Sequence, residues 1–201
     1  MRKKTMSKFK NRKDAGLKLS EELLYYKNVF DVIILAIPHG GIPVAKQIAQ
    51  KLNAPLAAFQ PKLWVREGIE KTKKNVVIRI SVPETDLKQS KPFAPLTRKN
   101  RVFLQDEIKL WIEKKTIILV DDGIATGTTI NQAIKQIKQF QPEKLTVCVP
   151  VAPPEVIKDI MENVDDLICL KTPDPFYGIG SWYEKFGKTQ DKEIHEILEE
   201  I

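Results

Sequence analysis

Cysteine is scarce in this sequence, and long apolar runs are missing. Only two of the 201 residues are cysteines, Cys148 and Cys169, and each lies within an apolar stretch. Two thiols without metal-ligand spacing indicate small buried side chains in a reducing compartment. No apolar run approaches the ~18–20 residues of a membrane span, and none follows the basic N-terminus as in a secretory signal. We therefore expect a cytoplasmic protein without a membrane partner.

The remaining composition is that of a globular domain. Hydrophobic residues make up 42% of the chain and charged residues 29%, which suffices for a core in a chain of this length. No internal repeat or low-complexity linker interrupts the sequence. The length predicts one domain, or one domain with a small appendage.

Positive charge is concentrated at the N-terminus. The chain carries 33 basic and 26 acidic residues, and seven of the basic ones precede the first acid, Asp14. Without these seven the remaining chain is formally neutral. Three interpretations stay open for this arm: a solvated tail, a nucleic-acid-binding arm, or charge that attracts a polyanionic substrate. The seven are Arg2, Lys3, Lys4, Lys8, Lys10, Arg12 and Lys13.

Apolar runs alternate with helical patterns along the chain, which predicts an α/β fold with a largely parallel sheet flanked by helices. We expect a basic arm over 1–13, a core over 14–172, and a C-terminal aromatic segment with a closing helix over 173–201. The predicted strands are 32–37, 56–59, 76–82, 116–120, 145–151 and 167–170. The predicted helices are 14–26, 43–52, 97–113, 128–140 and 153–163.

One strand-to-helix turn has the composition of a phosphate site. Residues 121–129, here called the Asp loop, follow a buried strand and precede a helix. Gly127 permits close approach of a ligand, and the amides and hydroxyls around Thr126, Thr128 and Thr129 form a cradle for phosphate. Asp121 and Asp122 suit ribose hydroxyls or a hard cation such as Mg²⁺. This combination predicts a phosphorylated sugar as ligand, because a plain N-cap explains only one carboxylate and one threonine.

A second glycine-containing turn, the Gly loop of residues 38–41, ends the first predicted strand. Gly40 and Gly41 leave backbone N–H groups accessible to an anion. The C-terminal segment 173–186 is rich in aromatics that could stack on a planar base, Phe176 above all. Trp182, Tyr183 and Phe186 could equally form a small aromatic core that fixes the C-terminus.

Residues 117–129 resemble, at all thirteen positions, the phosphoribosyl pyrophosphate (PRPP) signature of the type I phosphoribosyltransferases. The resemblance implies a Rossmann-like fold and an enzyme of nucleotide salvage that transfers the 5-phosphoribosyl group from PRPP to a purine or related base. Mg²⁺ would be the cofactor, held mainly through the substrate near Asp121 and Asp122, which would contact the ribose hydroxyls. The 5′-phosphate would bind at Ala125, Thr126, Gly127, Thr128 and Thr129.

The Gly loop resembles the pyrophosphate loop of the same family. By this resemblance His39, Gly40 and Gly41 would bind pyrophosphate, and the Pro38–His39 bond would be cis. His39 stands where relatives usually carry Lys or Arg, and Ala125 stands where many 6-oxopurine enzymes place an Asp.

The C-terminal aromatic segment resembles the hood of purine phosphoribosyltransferases, with Phe176, Tyr177 and Trp182 at the base. Residues 9–17, the two loops and residues 182–186 with Thr189 and Asp191 extend the similarity to a group of poorly characterised prokaryotic phosphoribosyltransferases. In the divergent middle, 62–110, the basic candidates for a catalytic loop are Lys62, Arg66, Lys71 and Arg79.

Type I relatives often form dimers, so a homodimer is a further expectation. The alternative to an enzyme is a regulator of the same fold that senses PRPP or a nucleotide and binds nucleic acid.

Overall fold

The computed structural model describes residues 7–59, 78–81, 109 and 111–199. Most of the divergent middle, including Lys62, Arg66, Lys71 and most of the predicted helix 97–113, lies outside these residues. Arg79 falls within a strand that is described by its backbone. Among the described residues, no helix is both long and apolar enough to cross a membrane.

Six strands form one sheet in the order β3-β2-β1-β4-β5-β6. Strands β2, β1, β4, β5 and β6 are parallel, and β3 joins the edge antiparallel to β2. The predicted α/β class with a largely parallel sheet is confirmed. The strands are β1 (Val32–Ala36), β2 (Leu56–Phe59), β3 (Ile78–Ser81), β4 (Thr116–Val120), β5 (Lys144–Val151) and β6 (Asp166–Lys171).

Helices cover both faces of the sheet. The helices are α1 (Arg12–Glu22), α2 (Gly41–Leu52), α3 (Thr128–Lys138), α4 (Pro154–Met161) and α5 (Asp191–Glu199), with short 3₁₀ turns at Leu24–Tyr26 and Ile179–Trp182. Apolar side chains of α3 and α4 pack on one face of the sheet, and those of α1, α2 and α5 pack on the other. The central strands β1 and β4 therefore contain almost only buried residues, as expected for strands covered on both sides.

The strand order places two loops side by side. Chain order reverses between β1 and β4, which pair in register from Val32–Thr116 to Ala36–Val120. The segments after both strands leave the sheet at its carboxyl edge, where ligands bind in open α/β sheets. The Gly loop follows β1 and the Asp loop follows β4, so topology alone brings the two predicted ligand loops together.

Helix α1 begins earlier than the sequence pattern predicts. Asn11 caps it by accepting a 2.9 Å hydrogen bond from the Asp14 amide, so the helix begins at Arg12 within the predicted basic arm. It ends at Glu22 and is followed by a 3₁₀ turn, whereas the apolar spacing predicted a continuous helix to residue 26. The N-cap chemistry of asparagine sets the start, since its side chain replaces a missing intrahelical acceptor.

Candidate active site

The Gly loop and the Asp loop are in direct contact. A Cβ atom added to Gly40 would lie 2.0 Å from Asp122 Oδ2, and one added to Gly41 would lie 2.7 Å from the Val120 carbonyl oxygen. Neither position has room for a larger residue without movement of the neighbouring chain. The Pro38–His39 peptide bond is cis, as the family resemblance implies. Both glycines are therefore needed for close packing. The Gly41 amide donates to the Ile37 carbonyl oxygen at 3.0 Å in a buried position, so the expectation of an accessible amide is wrong for Gly41.

The Asp loop is shaped by two glycines with positive φ. Gly123 has φ +155°, and a Cβ there would meet Ile179 at 2.7 Å. Gly127 has φ +76° and is the N-cap residue of α3, a conformation that favours glycine. The side chains of Ala125, Thr126, Thr128 and Thr129 are exposed around this turn. The Thr126 and Thr128 hydroxyls lie 3.1 Å apart.

The first turn of α3 thus presents hydroxyls and a helix N-terminus to solvent. Such a terminus carries partial positive charge and amides without intrahelical acceptors. This arrangement favours a phosphate group. The predicted 5′-phosphate residues are therefore brought together on one exposed turn.

The two carboxylates lie in an environment that penalises their charge. Burial and the negative charge of Asp122 raise the pKa of Asp121 well above its usual value. Burial also raises the pKa of Asp122, and this effect is partly opposed by the Arg12 guanidinium. A cation, or hydroxyl groups that donate hydrogen bonds, would relieve this penalty.

Arg12 lines the cleft, although the sequence singled it out only as one of seven basic residues whose charge could attract a polyanionic substrate. Its Nε–H donates to Asp122 Oδ2 at 2.7 Å, and its Nη1 donates to the Gly187 carbonyl oxygen at 2.7 Å. The guanidinium carbon lies 4.0 Å from the centre of the Phe186 ring. Both members of the Arg12–Asp122 pair are largely buried. A signal was present in the Asn11 cap, which fixes Arg12 in the first turn of α1.

The segment near the N-terminus is integrated into the fold. Phe9 is buried, its amide donates to the Trp182 carbonyl at 2.8 Å, and its carbonyl accepts from the Glu184 amide at 2.8 Å. The Lys10 carbonyl accepts from the Lys185 amide at 3.1 Å. For residues 9–12 the interpretation as a solvated tail is therefore wrong, because backbone pairing and Arg12 fix them against the C-terminal segment. The domain limits 1–13, 14–172 and 173–201 stay a prediction.

The aromatic segment has a structural part and an exposed part. Tyr183 is buried beside Phe9 and Ala15, and its hydroxyl donates to the Asp122 carbonyl oxygen at 2.6 Å. Its ring lies 5.0 Å from that of Phe186. Tyr183 therefore belongs to a small buried core with Phe9 and Ala15, as the structural alternative predicted, whereas Phe186 packs against its edge and is 39% exposed.

The three predicted base-binding residues occupy different environments. Phe176 is half-buried, Tyr177 is 76% exposed, and Trp182 is half-buried. The Trp182 indole N–H is buried and has no hydrogen-bond partner among the described residues. Binding of a base at these positions stays a prediction.

A cleft of about 610 Å³ opens where the loops meet the C-terminal segment. Three predicted ligand residues line it, namely His39, Gly40 and Asp122. The remaining lining residues are Arg12, Lys188, Thr189 and Gln190. The aromatic residues predicted for the base are not among this lining, whereas three residues from the C-terminal segment are. The site is therefore polar, with basic side chains on both sides of a carboxylate.

The described residues hold no cluster of three or more His, Cys, Asp or Glu side chains that could enclose a metal. Asp121 and Asp122 nevertheless supply the hard oxygen donors that Mg²⁺ prefers, with charge that a cation would offset. The residues present fit an ion that takes most of its ligands from substrate phosphates and water.

The cysteines are not part of this site. Cys148 is buried and Cys169 half-buried, and neither is in a disulfide. Burial raises the pKa of Cys148, and it raises the pKa of Cys169 to about 11. The expectation of small buried thiols is confirmed for Cys148, while Cys169 is partly accessible on β6.

Comparison with known proteins places the chain in a family. Residues 7–181 match the family model described as the phosphoribosyl transferase domain. The chain belongs to this family, and the resemblance found in the sequence is confirmed.

Individual relatives agree with this assignment. A Mycobacterium tuberculosis protein, provisionally named as a phosphoribosyl transferase in strains CDC 1551 and H37Rv, is 29% identical over 209 aligned positions. The alignment covers 96% of this chain and 47% of that protein, so the chain spans about half the length of the curated relatives it matches.

Solved structures share the fold. The crystal structure of TT1426 from Thermus thermophilus superposes with a TM-score of 0.70 at 24% identity, over 96% of this chain and 98% of that one. A hypothetical protein from Neisseria gonorrhoeae, solved with bound ppGpp, has a TM-score of 0.51 at 14% identity, over 94% and 92%. At these identities the likeness concerns the fold alone.

Proposed function

We propose that this chain transfers the 5-phosphoribosyl group from PRPP to a nitrogen of a nucleobase-like acceptor and releases pyrophosphate. The observation that carries the proposal is the direct contact of the Gly loop with the Asp loop, at Gly40 and Asp122. Gly40 and Asp122 both line one cleft, and Asp121 and the exposed turn of Ala125, Thr126, Thr128 and Thr129 adjoin Asp122 in the same loop. PRPP has three matching parts: a 5′-phosphate, two ribose hydroxyls and a pyrophosphate.

Each part of PRPP has a proposed partner. The exposed turn from Ala125 to Thr129, which leads into α3, takes the 5′-phosphate through amides and hydroxyls. Asp121 and Asp122 accept hydrogen bonds from the ribose 2′- and 3′-hydroxyls. The Gly loop, at His39, Gly40 and Gly41, faces the pyrophosphate. Phe176, Tyr177 and Trp182 are the proposed contacts of the base.

The chemistry requires departure of pyrophosphate from ribose C1 and attack there by the acceptor nitrogen. The C1–O bond breaks with its electron pair on pyrophosphate, a C1–N bond forms, and the nitrogen loses its proton. Mg²⁺ bound with PRPP would neutralise charge on the pyrophosphate. The amide of Gly40, a residue that lines the cleft, donates to the same developing charge, and the carboxylates hold the ribose so that C1 faces the acceptor.

The proposal is tested by calorimetric titration with PRPP and Mg²⁺, followed by a panel of nucleobases monitored for pyrophosphate release. We expect binding by the wild-type chain and release with one class of base. The double variant Asp121→Asn, Asp122→Asn should lose both binding and release. Each asparagine replaces an anionic carboxylate, which has two acceptor oxygens for the ribose hydroxyls, with a neutral amide that has one acceptor oxygen and an NH₂ donor. A matched control is Asp159→Asn, on the exposed side of α4. Unchanged turnover in the double variant would rule out the proposed site.

Nucleic-acid regulation is the alternative that the sequence raised. It predicts binding that persists at about 200 mM salt and depends on PRPP, whereas non-specific attraction by the basic arm weakens steeply with salt. A mobility-shift titration with and without PRPP distinguishes the two.

A further inference from the structure

The C-terminal strap, defined here as residues 183–190, forms one wall of the cleft. Lys188, Thr189 and Gln190 line it together with His39 and Gly40 of the Gly loop. The Asp loop fixes the start of the strap, since the Tyr183 hydroxyl donates to the Asp122 carbonyl oxygen at 2.6 Å, but this bond lies five residues before Lys188. The position of this wall depends on what attaches the strap to the remainder of the fold.

Besides the Tyr183–Asp122 hydrogen bond, two further sets of contacts attach the strap. The amides of Glu184 and Lys185 donate to the Phe9 and Lys10 carbonyls, at 2.8 and 3.1 Å. Beyond these, Arg12 is the described side chain that joins the distal part of the strap to the Asp loop. Its Nη1 donates to the Gly187 carbonyl, next to Lys188 in the chain, and its Nε donates to Asp122.

The guanidinium is suited to this task and is firmly placed. One planar group donates along two directions and at the same time stacks 4.0 Å from the Phe186 ring centre. Its backbone is held in the first turn of α1, which packs closely on α2: a Cβ at Gly16 would meet the Val44 carbonyl at 2.5 Å. A lysine could replace the charge, but its ammonium group has neither the planar set of N–H donors nor the flat surface that stacks on Phe186.

We propose that Arg12 is a positioning residue: its hydrogen bonds to Asp122 and Gly187, here called the latch, fix the C-terminal strap to the Asp loop. The latch thereby sets the affinity of the cleft for the phosphoribosyl ligand. This inference rests on the proposed function for the identity of that ligand. The latch acts through two partners: it orients the Asp122 carboxylate and brings the wall of Lys188, Thr189 and Gln190 to the Gly loop.

The test compares Arg12→Gln, Arg12→Lys and Phe186→Leu with the wild-type chain. Phe186 is useful because it contacts Arg12 but does not line the cleft. Lys51→Gln serves as the control, since Lys51 of α2 forms an exposed ion pair with Glu21 of α1, the helix that carries Arg12. Circular dichroism and thermal denaturation establish that each variant folds.

The first measurement is the dissociation constant for PRPP with Mg²⁺. Arg12→Gln should weaken binding about tenfold or more, the scale of a lost charge-assisted hydrogen bond. Arg12→Lys and Phe186→Leu should weaken it less, and the double variant Arg12→Gln, Phe186→Leu should be little worse than Arg12→Gln alone, because both act through one latch. Lys51→Gln should bind like wild type.

The second measurement is amide hydrogen exchange of peptides covering the strap, without ligand. Arg12→Gln and Phe186→Leu should speed exchange there and leave the β1 and β4 amides unchanged. Weakened binding in Arg12→Gln with wild-type binding in Phe186→Leu would overturn the latch in favour of direct ligand contact by Arg12. Faster exchange with unchanged affinity would overturn the claim that the latch sets affinity.

Failure of the latch and failure of the proposed function give different results. If the wild-type chain does not bind PRPP, the proposed function and its affinity claim fall together. Wild-type binding with unaltered affinity and exchange in every variant would refute the latch and leave the proposed function standing.

Discussion

Replacing Gly40 by alanine tests the contact on which the site depends. The new Cβ would lie 2.0 Å from Asp122 Oδ2 and 2.5 Å from its Cγ, far inside ordinary contact distance. The carboxylate cannot retreat freely, because Arg12 holds Oδ2 at 2.7 Å and Tyr183 holds the Asp122 carbonyl at 2.6 Å. The clash must therefore be relieved by breaking the Arg12 bond or by separating the two loops.

The expected loss of stability follows from these two terms. Overpacking costs about 1–3 kcal/mol and a lost charge-assisted hydrogen bond about 1.5–3 kcal/mol. For a chain of this size, each kcal/mol lowers Tm by about 2–4 °C, so a fall of roughly 5–24 °C is expected if both terms apply. PRPP binding should also fall, because either change displaces the Asp122 carboxylate or the Gly loop from its place in the cleft.

Thermal denaturation and calorimetry with PRPP and Mg²⁺ provide the measurement. Gly187→Ala is the matched control: a Cβ there meets nothing within 4 Å, so both Tm and affinity should stay close to wild type. A Gly40→Ala chain with wild-type Tm and wild-type affinity would refute the contact between the loops.

Three further outcomes are expected. Asp121→Asn should raise Tm at pH 7 while PRPP binding falls. Because the pKa of Asp121 is raised in the folded chain, its ionised form destabilises the fold, and the gain should shrink as pH falls through that raised pKa; a constant gain between pH 7 and pH 4 would contradict this. Tyr183→Phe leaves the Asp122 carbonyl without its 2.6 Å donor and should lower the free energy of unfolding by about 1–3 kcal/mol in denaturant titrations. Cys148 should resist a thiol reagent at pH 8 until the chain unfolds, because burial raises its pKa, whereas rapid labelling of the native chain would show that β5 is more open than described.

The centre of the sheet was predictable because its strands are fully covered. Continuous apolar runs such as Val32–Ala36 and Thr116–Val120 are typical of parallel strands with helices on both faces, and their limits were predicted to within a residue. In the strand-to-helix turns that follow, the glycines, carboxylates and hydroxyls expected to bind ligand are close together in the sequence. Both ligand loops could therefore be identified locally, and the cis Pro38–His39 bond followed from the family resemblance.

The latch could not be predicted from local pattern. Arg12 and Asp122 are 110 positions apart, and Arg12 belongs to a run of basic residues whose composition is typical of a solvated tail. Only the tertiary structure brings the three contacts of its guanidinium together. The same reason explains why Lys188 and its neighbours, in a polar stretch before α5, gave no signal as part of a cleft.

The aromatic segment is a second case in which composition alone could not predict the role of each residue. Tyr183 and Phe186 are similar in sequence context to Phe176 and Tyr177, yet the first pair packs around Arg12 and Phe9 while Tyr177 is 76% exposed. Burial of an aromatic ring depends on what the fold places beside it. A count of aromatics alone could not distinguish a structural ring from one that contacts a ligand.

The central claim is that the two loops form a single site for PRPP, and calorimetric titration of the wild-type chain with PRPP and Mg²⁺ tests it most directly. The account predicts saturable binding with one ligand per chain, abolished in the Asp121→Asn, Asp122→Asn double variant and retained in Asp159→Asn. Absence of binding by a folded wild-type chain, or equal binding by the double variant, would contradict it.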